Sequence, residues 1–127
     1  MKKLLSIILC AVGCWWLIGC GGASGGNSPG GAVKRYVSAL CNGDTKSALN
    51  CIDPAKRKDA EPMIQMGVEI ASAFAKSEGG LASVSIVREE VQGDRALVGY
   101  QTKTRKGGER GDTARAERVK GTWYVAP

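Results

Sequence analysis

The chain has 127 residues, with 18 Lys and Arg against 12 Asp and Glu, five Cys, 18 Gly and no His. A chain of this length allows one domain. The absence of His excludes His-based acid–base catalysis, His metal ligation and Ser-His or Cys-His nucleophile pairs, and the 6% of aromatic residues argues against a stacking surface for single-stranded nucleic acid.

The first nineteen residues have the pattern of a secretory signal. Lys2 and Lys3 precede a nearly unbroken apolar run from Leu4 to Gly19. As a helix this run would be about 24 Å long, which is shorter than the roughly 30 Å hydrocarbon core that a spanning helix must cross. We therefore expect cleavage rather than a membrane span, and the loss of the two lysines lowers the formal charge from +6 to about +4.

The apolar run ends in Leu17-Ile18-Gly19-Cys20, which resembles the lipobox of bacterial lipoproteins. The resemblance implies cleavage between Gly19 and Cys20, a diacylglyceryl group on the Cys20 thiol and, in many bacteria, a third acyl chain on the new amine. Two or three chains make a durable anchor, at about 0.8 kcal/mol per buried methylene. Cleavage before Cys14 and an uncleaved helix are the alternatives. In Gram-negative lipoproteins an Asp after the Cys commonly retains the protein at the inner membrane. Since Gly21 stands at that position, the resemblance implies an outer-membrane location in a Gram-negative cell.

A tether is predicted between the anchor and the domain. Residues 21–31 read GGASGGNSPGG, with no charge and no large side chain, and such a segment cannot bury enough surface to offset its ordering entropy. The predicted organisation is thus a signal at 1–19, a lipidated Cys with a flexible tether at 20–31, and a single domain at 32–127.

Two short helices are predicted at the start of the domain. The first spans Ala32 to Asn42 and ends at Gly43, since glycine accepts a left-handed backbone at a helix end. Asp44 is placed as the N-cap of a second helix that reaches about Cys51. The apolar residues expected to face inward are Val33, Tyr36, Val37 and Leu40 in the first helix, and Ala48, Leu49 and Ile52 at the second.

A third, longer helix is predicted from near Pro62 to Ser77, after a cap-then-proline start at Asp53-Pro54. One face of this helix carries most of its large apolar side chains, and we expect that face to enter the core. It consists of Met63, Met66, Gly67, Ile70, Ala73 and Phe74.

Four strands joined by three turns are predicted to follow. The first, Leu81 to Val91, changes the parity of its apolar residues, which indicates a bulge near Ile86-Val87. The others are Ala96–Thr102, Thr113–Val119 and Thr122–Val125, separated by turns at Gly93-Asp94, Lys106–Glu109 and Lys120-Gly121. Helices followed by an antiparallel meander define an α+β domain.

Three segments together resemble a family of small lipoprotein-associated domains of unknown function, within the nuclear-transport-factor-2-like (cystatin-like, SnoaL-like, ketosteroid-isomerase-like) superfamily. They are the Val33…Tyr36-Val37…Leu40 helix with Asn42-Gly43-Asp44, the run from Val91 to Val98, and the run from Lys120 to Val125. The resemblance covers about residues 32–127. It implies N-terminal helices packed in the concave side of a curved four-stranded antiparallel sheet, a cone whose mouth can hold a ligand or a partner.

Acid–base chemistry in such a cone would need a carboxylate or a tyrosine inside it. Tyr100, with Glu89 or Glu90, is the one obvious analogue, and Trp123 is a further candidate for the pocket wall. The alternative is that Tyr100 packs with a solvated hydroxyl and that both glutamates lie in water. No acid–base pair can be matched residue by residue to an enzyme of the superfamily, so no catalytic residue is assigned and no enzymatic activity is predicted.

Cys41 and Cys51 flank the turn between the first two helices. Export to an oxidising compartment makes a disulfide between them feasible, and two buried thiols are the alternative. A zinc site is disfavoured, because two Cys without His leave too few of its preferred ligands. No cofactor and no metal are predicted.

The segment from Lys103 to Lys120 is rich in basic residues, and Lys103, Arg105 and Lys106 are the candidates for contact with anionic lipids or polymers. A solvated hairpin whose lysines protect a sheet edge is the alternative. Nucleic acid is not an expected partner. Three hypotheses follow: a non-enzymatic, lipid-anchored envelope module that binds a protein or a small ligand; a ligand-binding or enzymatic cone that uses Tyr100; and a structural module that contacts anionic envelope polymers.

Overall fold

The computed structural model describes residues 27–127, so the predicted signal, Cys20 and the first part of the predicted tether lie outside the described residues. Within this range three α-helices precede four strands, which confirms the predicted α+β class. The elements are α1 (Pro29–Asn42), α2 (Thr45–Asn50), a 3-10 turn (Pro54–Lys56), α3 (Arg57–Ser77), β1 (Leu81–Gln92), β2 (Arg95–Thr104), β3 (Glu109–Val119) and β4 (Thr122–Ala126).

Helix α1 begins three residues earlier than predicted. The Ser28 hydroxyl accepts a hydrogen bond from the Gly31 amide at 3.0 Å, and Pro29 occupies the first helical turn. A serine cap followed by proline is a strong helix start, and here it outweighs the entropic cost of two glycines. Residues 29–31, predicted as tether, are therefore the first turn of α1. The helix ends as predicted at Gly43, whose φ is 76°.

The predicted caps of the next two elements are confirmed. Asp44 accepts hydrogen bonds from the Ser47 amide at 3.1 Å and from the Ser47 hydroxyl at 2.7 Å, and Asp53 accepts one from the Ala55 amide at 3.1 Å. The 3-10 turn continues directly into α3, which therefore starts at Arg57 and not near Pro62. Pro62 lies inside the helix at the cost of one backbone hydrogen bond.

The face of α3 that enters the core is not the predicted one. The buried residues are Ala60, Ile64, Val68 and Ala75, whereas the predicted stripe lies largely in water. The reason is that α3 packs mainly on α1 and α2, and its small residues allow a close approach. A Cβ atom on Gly67 would lie 3.8 Å from a Leu40 methyl group of α1.

The four strands form one antiparallel sheet in the order β1-β2-β3-β4. β1 and β2 pair along most of their length, and so do β2 and β3, but β4 pairs only with residues 115–119 of β3. α1 crosses the sheet and contacts all four strands. One face of the sheet, including Ala96, Val98, Ala116 and Val125, is buried beneath the helices.

The predicted irregularities of the sheet are confirmed. A register shift between Ile86 and Arg88 is the bulge expected near Ile86-Val87. Lys120 and Gly121 have φ values of 52° and 84°, as a two-residue type I′ hairpin requires. β3 begins at Glu109 and not at Thr113, because Lys103 already pairs with Glu109 across a tight turn. Between residues 27 and 127, no helix combines the length and apolarity needed to cross a membrane.

Candidate functional site

The three residues predicted as a pocket do not converge on one point. Tyr100 of β2 lies opposite Asp112 of β3. Glu89 of β1 lies opposite Val98, which is two residues before Tyr100 in β2. Trp123 pairs with Arg118, six residues along β3 from Asp112, which is about 20 Å away. The structure therefore separates Trp123 from Tyr100 and Glu89, which lie diagonally across β1 and β2.

Tyr100 is half-buried on the helix-covered face of the sheet. Burial raises the pKa of its hydroxyl, the Asp112 carboxylate raises it further, and the Arg110 guanidinium partly opposes them. Burial also raises the pKa of Tyr36 in α1, to which Tyr100 contributes. Both phenols are thus protonated at neutral pH, and Tyr100 can serve as a hydrogen-bond donor but not as a base.

Asp112, and not Glu89, is the carboxylate beside Tyr100. Its Oδ1 accepts a hydrogen bond from the Thr113 amide at 2.8 Å. Glu89 is exposed, and its carboxylate lies against Gly30 in the first turn of α1, where a Cβ atom would overlap it. The positive end of the helix dipole accounts for a carboxylate at this position.

Trp123 is a buried residue of the hydrophobic core. It is 4% exposed, and the Arg118 guanidinium lies 5.3 Å from the centre of its ring. Arg118 in turn forms an ion pair with Asp94 at 2.9 Å. This cluster fixes the turn between β1 and β2 to the end of β3.

The predicted basic candidates lie at the end of β2 (Lys103) and on the turn that follows it (Arg105 and Lys106), and the side chains of Lys103 and Lys106 have partners within the domain. Lys103 forms an exposed ion pair with Glu109 at 3.5 Å. The Lys106 ammonium donates to the Ser77 carbonyl at 3.3 Å, at the negative end of α3. The Arg105 amide donates to the Gly80 carbonyl at 2.9 Å. These contacts dock the turn onto the end of α3.

Cys41 and Cys51 are thiols in the structure, not a disulfide. Cys41 is half-buried, and burial raises the pKa of its thiol, so the nucleophilic thiolate is disfavoured at neutral pH. Cys51 is buried, and its carbonyl accepts a hydrogen bond from the Val125 amide at 2.8 Å, which ties α2 to β4. Both cysteines therefore pack at the hydrophobic core.

Two grooves on the described surface contain none of Tyr100, Glu89 and Trp123. One, of about 500 Å³, lies between α1 and α2 beside Lys34 and Asn50. The other, of about 430 Å³, lies on the outer face of the sheet beside Leu97 and Arg115. In residues 27–127 no cluster of three Cys, Asp or Glu could hold a metal ion.

Helix α3 exposes an apolar row, hereafter the α3 stripe, formed by Met63, Met66, Ile70 and Phe74. These side chains are 52%, 61%, 66% and 43% exposed. At 100° per residue they lie within an arc of about 80°, and they extend over about 16 Å of helix. Sequence periodicity found this row but assigned it to the core; only the packing of α3 on α1 shows that it faces outward.

The α3 stripe lies beside the open half of β3. At one end of α3, Lys56 pairs with Glu117 of β3 at 2.9 Å; at the other, Lys106 holds Ser77 next to the start of β3. The two elements therefore run alongside each other in opposite directions. The Arg110 guanidinium of β3 lies 5.3 Å from the centre of the Phe74 ring, which shows that this face of α3 looks toward the strand.

Three helices followed by an open four-stranded antiparallel sheet, with one face of the sheet buried beneath the helices, form an α+β domain with the nuclear-transport-factor-2-like (NTF2-like) fold. A crystal structure from Campylobacter jejuni, of a protein named “Putative NTF2-like transpeptidase”, is similar with a TM-score of 0.67 and 22% identity, over 73% of this chain and 92% of that chain. RPA3114, a SEC-C motif containing protein from Rhodopseudomonas palustris, matches with a TM-score of 0.51 and 18% identity, over 80% of this chain and 77% of that one. At these identities the likeness shows the fold alone.

The chain belongs to the family described as Domain of unknown function (DUF4878), whose family model matches residues 22–126. This confirms the resemblance to an NTF2-like family of unknown function. The search of curated proteins found no match.

Proposed function

We propose that this protein is a lipid-anchored component of the bacterial cell envelope, and that its domain is a non-enzymatic module that binds another protein. The observation that carries the proposal is the α3 stripe, four large apolar side chains in a row that the fold leaves in water. The occupant proposed for this surface is the apolar face of a partner envelope protein.

The lipobox supports the anchor. Acylation of Cys20 would leave eight residues before Pro29, where α1 begins. A chain of that length reaches at most about 30 Å. The domain would therefore stay close to the membrane surface, where it meets other envelope proteins. Because Gly21 follows the Cys, the outer membrane is the proposed location in a Gram-negative cell.

The composition of the stripe favours a protein partner. Two of its four members are Met, whose flexible thioether adapts to irregular partner surfaces. Residues spaced at three and four positions present one continuous ridge, the geometry with which helices dock into apolar grooves. A large exposed apolar patch on a small domain is typical of a protein interface.

The charge of α3 disfavours an anionic bilayer as the occupant. Interfacial helices are rich in Lys and Arg, whereas α3 has three basic residues, Arg57, Lys58 and Lys76, against three acidic ones, Asp59, Glu61 and Glu69. With no net charge, the helix has little electrostatic attraction to phosphate headgroups.

The two rival hypotheses have less support. Tyr100 has a carboxylate neighbour in Asp112, but the two grooves described above do not include either residue. A polymer-binding role for the turn between β2 and β3 would require Lys103 and Lys106 to leave their partners, Glu109 and the Ser77 carbonyl.

Site-specific photocrosslinking in intact cells tests the proposed docking surface. A photoreactive residue at position 66 or 70 of the full chain should give the same protein adduct, of one defined mass, and the Phe74→Glu change should abolish both adducts. The matched control is the same residue at position 85, which is exposed on β1 and should not give that adduct.

Two other outcomes would overturn the proposed occupant. Adducts with lipid only would indicate that the stripe rests on the membrane. An adduct of twice the mass of this chain would indicate a second copy. The anchor is tested separately: intact mass should show acyl groups on Cys20, and Cys20→Ser should release the protein from membranes, whereas unchanged fractionation would contradict the assignment.

A further inference from the structure

The first half of β3 has a free edge. Because β4 ends beside residue 115, residues 109–114 pair with β2 alone within the described part of the chain. Four consecutive residues at this edge, Arg110, Gly111, Asp112 and Thr113, are all exposed. An unpaired edge of this kind is a template for another strand.

The backbone groups available at this edge belong to the odd-numbered residues. Arg115 and Glu117 face β4, and successive residues of a strand point their hydrogen-bonding groups to opposite sides. Gly111 and Thr113 therefore point away from β2. The Thr113 amide agrees with this, since it bonds to the Asp112 carboxylate and not to the ladder.

The charges at this edge complement each other across a twofold axis. In an antiparallel pair centred on Gly111, residue 110 of one copy lies opposite residue 112 of the other. Arg110 would then face Asp112 of the second copy, and Asp112 would face its Arg110. Neither residue forms an ion pair with another described residue. Arg110 does contact the Phe74 ring, and Asp112 accepts the Thr113 amide, so both side chains would have to give up these contacts to reach a partner.

From this geometry we infer that two copies of the protein associate through β3, in antiparallel pairing with Gly111 at the twofold axis and two Arg110–Asp112 ion pairs beside it. This pairing is an isologous contact, in which one surface serves both subunits. It also puts the outward-facing Gly111 amides and carbonyls in register as a hydrogen-bonded pair.

Association exchanges hydrogen bonds without leaving one unsatisfied. In the proposed dimer the Thr113 amide no longer donates to the Asp112 carboxylate of its own chain. It donates instead to the Glu109 carbonyl of the second copy, and the Asp112 carboxylate pairs with Arg110 of the second copy.

The pairing uses the backbone of residues 109–113, whereas the α3 stripe consists of apolar side chains. The two surfaces are neighbours, since Arg110 contacts the Phe74 ring. A second copy is favoured over an unrelated extended peptide as the partner, because the second copy supplies an Asp112 opposite Arg110 and an Arg110 opposite Asp112. An unrelated peptide has no reason to carry these two charges at this spacing. A heterologous peptide remains a distinct outcome of the test.

Disulfide trapping between two tagged full-length copies tests the register. Opposed residues that share no hydrogen bonds lie about 4.5 Å apart at Cα, within the range that a disulfide spans. Co-expression of an Arg110→Cys copy with an Asp112→Cys copy should give a mixed disulfide dimer and retain one ion pair. The unchanged chain, with its own Cys41 and Cys51 thiols, is the first control.

The second control is each cysteine variant expressed alone. Its two introduced cysteines occupy the same position in both copies, which is two positions out of register in the proposed pairing, so they should form far less disulfide. Equal linking in all three cultures, no linking in the mixed one, or linking to a different protein would each overturn the inference.

Charge reversal gives an independent readout. Arg110→Asp alone should reduce co-purification of two differently tagged copies by at least tenfold, because two like charges then oppose each other. Combining it with Asp112→Arg in the same chain should restore the yield. Arg95→Asp, an equal charge change at an exposed position on β2, should have no effect. A double change that fails to restore association, with an unchanged thermal transition, would contradict the pairing.

Discussion

Two isoleucines on α3 give a direct test of which face of this helix is buried. Ile64 is 1% exposed and Ile70 is 66% exposed, although both belong to the same helix and lie six positions apart. Truncation to alanine removes the same atoms at each position. Any difference in the free energy of unfolding therefore reports the environment of the side chain.

The expected effects differ severalfold. Ile64→Ala leaves a cavity in the core and should lower the free energy of unfolding by about 3 kcal/mol, within the usual range for a buried isoleucine. Ile70→Ala removes atoms that are mostly in water and should change it by no more than about 0.5 kcal/mol. Alanine also has the higher helix propensity, which offsets part of any loss.

Urea unfolding of residues 22–127 measures both values. Trp123 is the single tryptophan of this segment and is buried, so its fluorescence reports unfolding without a label. Equal losses from the two substitutions would refute the reasoning, because they would place the α3 stripe in the core as periodicity alone predicted.

Other features of the domain give further predictions. Gly43→Ala should destabilise by about 1 kcal/mol in the same unfolding assay, since alanine is strained at a φ of 76°. Hydrogen bonds from Ser47 lower the pKa of Asp44 in the folded domain. The stability that the Asp44 carboxylate contributes is therefore complete above its unfolded pKa and is lost as the pH falls through the lower folded pKa. The Asp44→Asn change should make the free energy of unfolding less dependent on pH in this acidic range. Burial raises the pKa of Tyr36, so stability should fall as the pH rises above about 10, and less steeply after Tyr36→Phe. Intact mass after alkylation in denaturant should show two modified thiols, Cys41 and Cys51, in the non-reduced domain; a mass two hydrogens lighter and unmodified would show a disulfide instead.

Local signals in the sequence predicted the elements well, because their chemistry acts over a few residues. The Asp44 and Asp53 caps, the glycine that ends α1 and the bulge in β1 all depend on side chains or dihedral angles within one turn. The same is true of the three hairpin turns. The antiparallel meander followed from these turns, since short connections leave adjacent strands side by side.

The burial of α3 could not be predicted from periodicity alone, because the helix carries two apolar faces. The larger side chains, such as Met66 and Ile70, suggested the core, but close contact between helices selects the smaller ones, such as Ala60 and Ala75. That choice depends on the distance between α3 and α1, a property of the tertiary structure. The partners of Tyr100 were missed for a similar reason, because Asp112 joins it only through strand register.

Methionine oxidation in cells is the most direct measurement of the central claim, that the α3 stripe is a docking surface. Met63 and Met66 are 52% and 61% exposed in the isolated domain, so mild peroxide should oxidise both rapidly in purified protein. If a partner covers the stripe, both sulfoxides should form at least severalfold more slowly in intact cells than in the purified domain at the same peroxide dose, and the Phe74→Glu change should remove the difference. Equal oxidation of the two methionines in cells and in solution would contradict the claim.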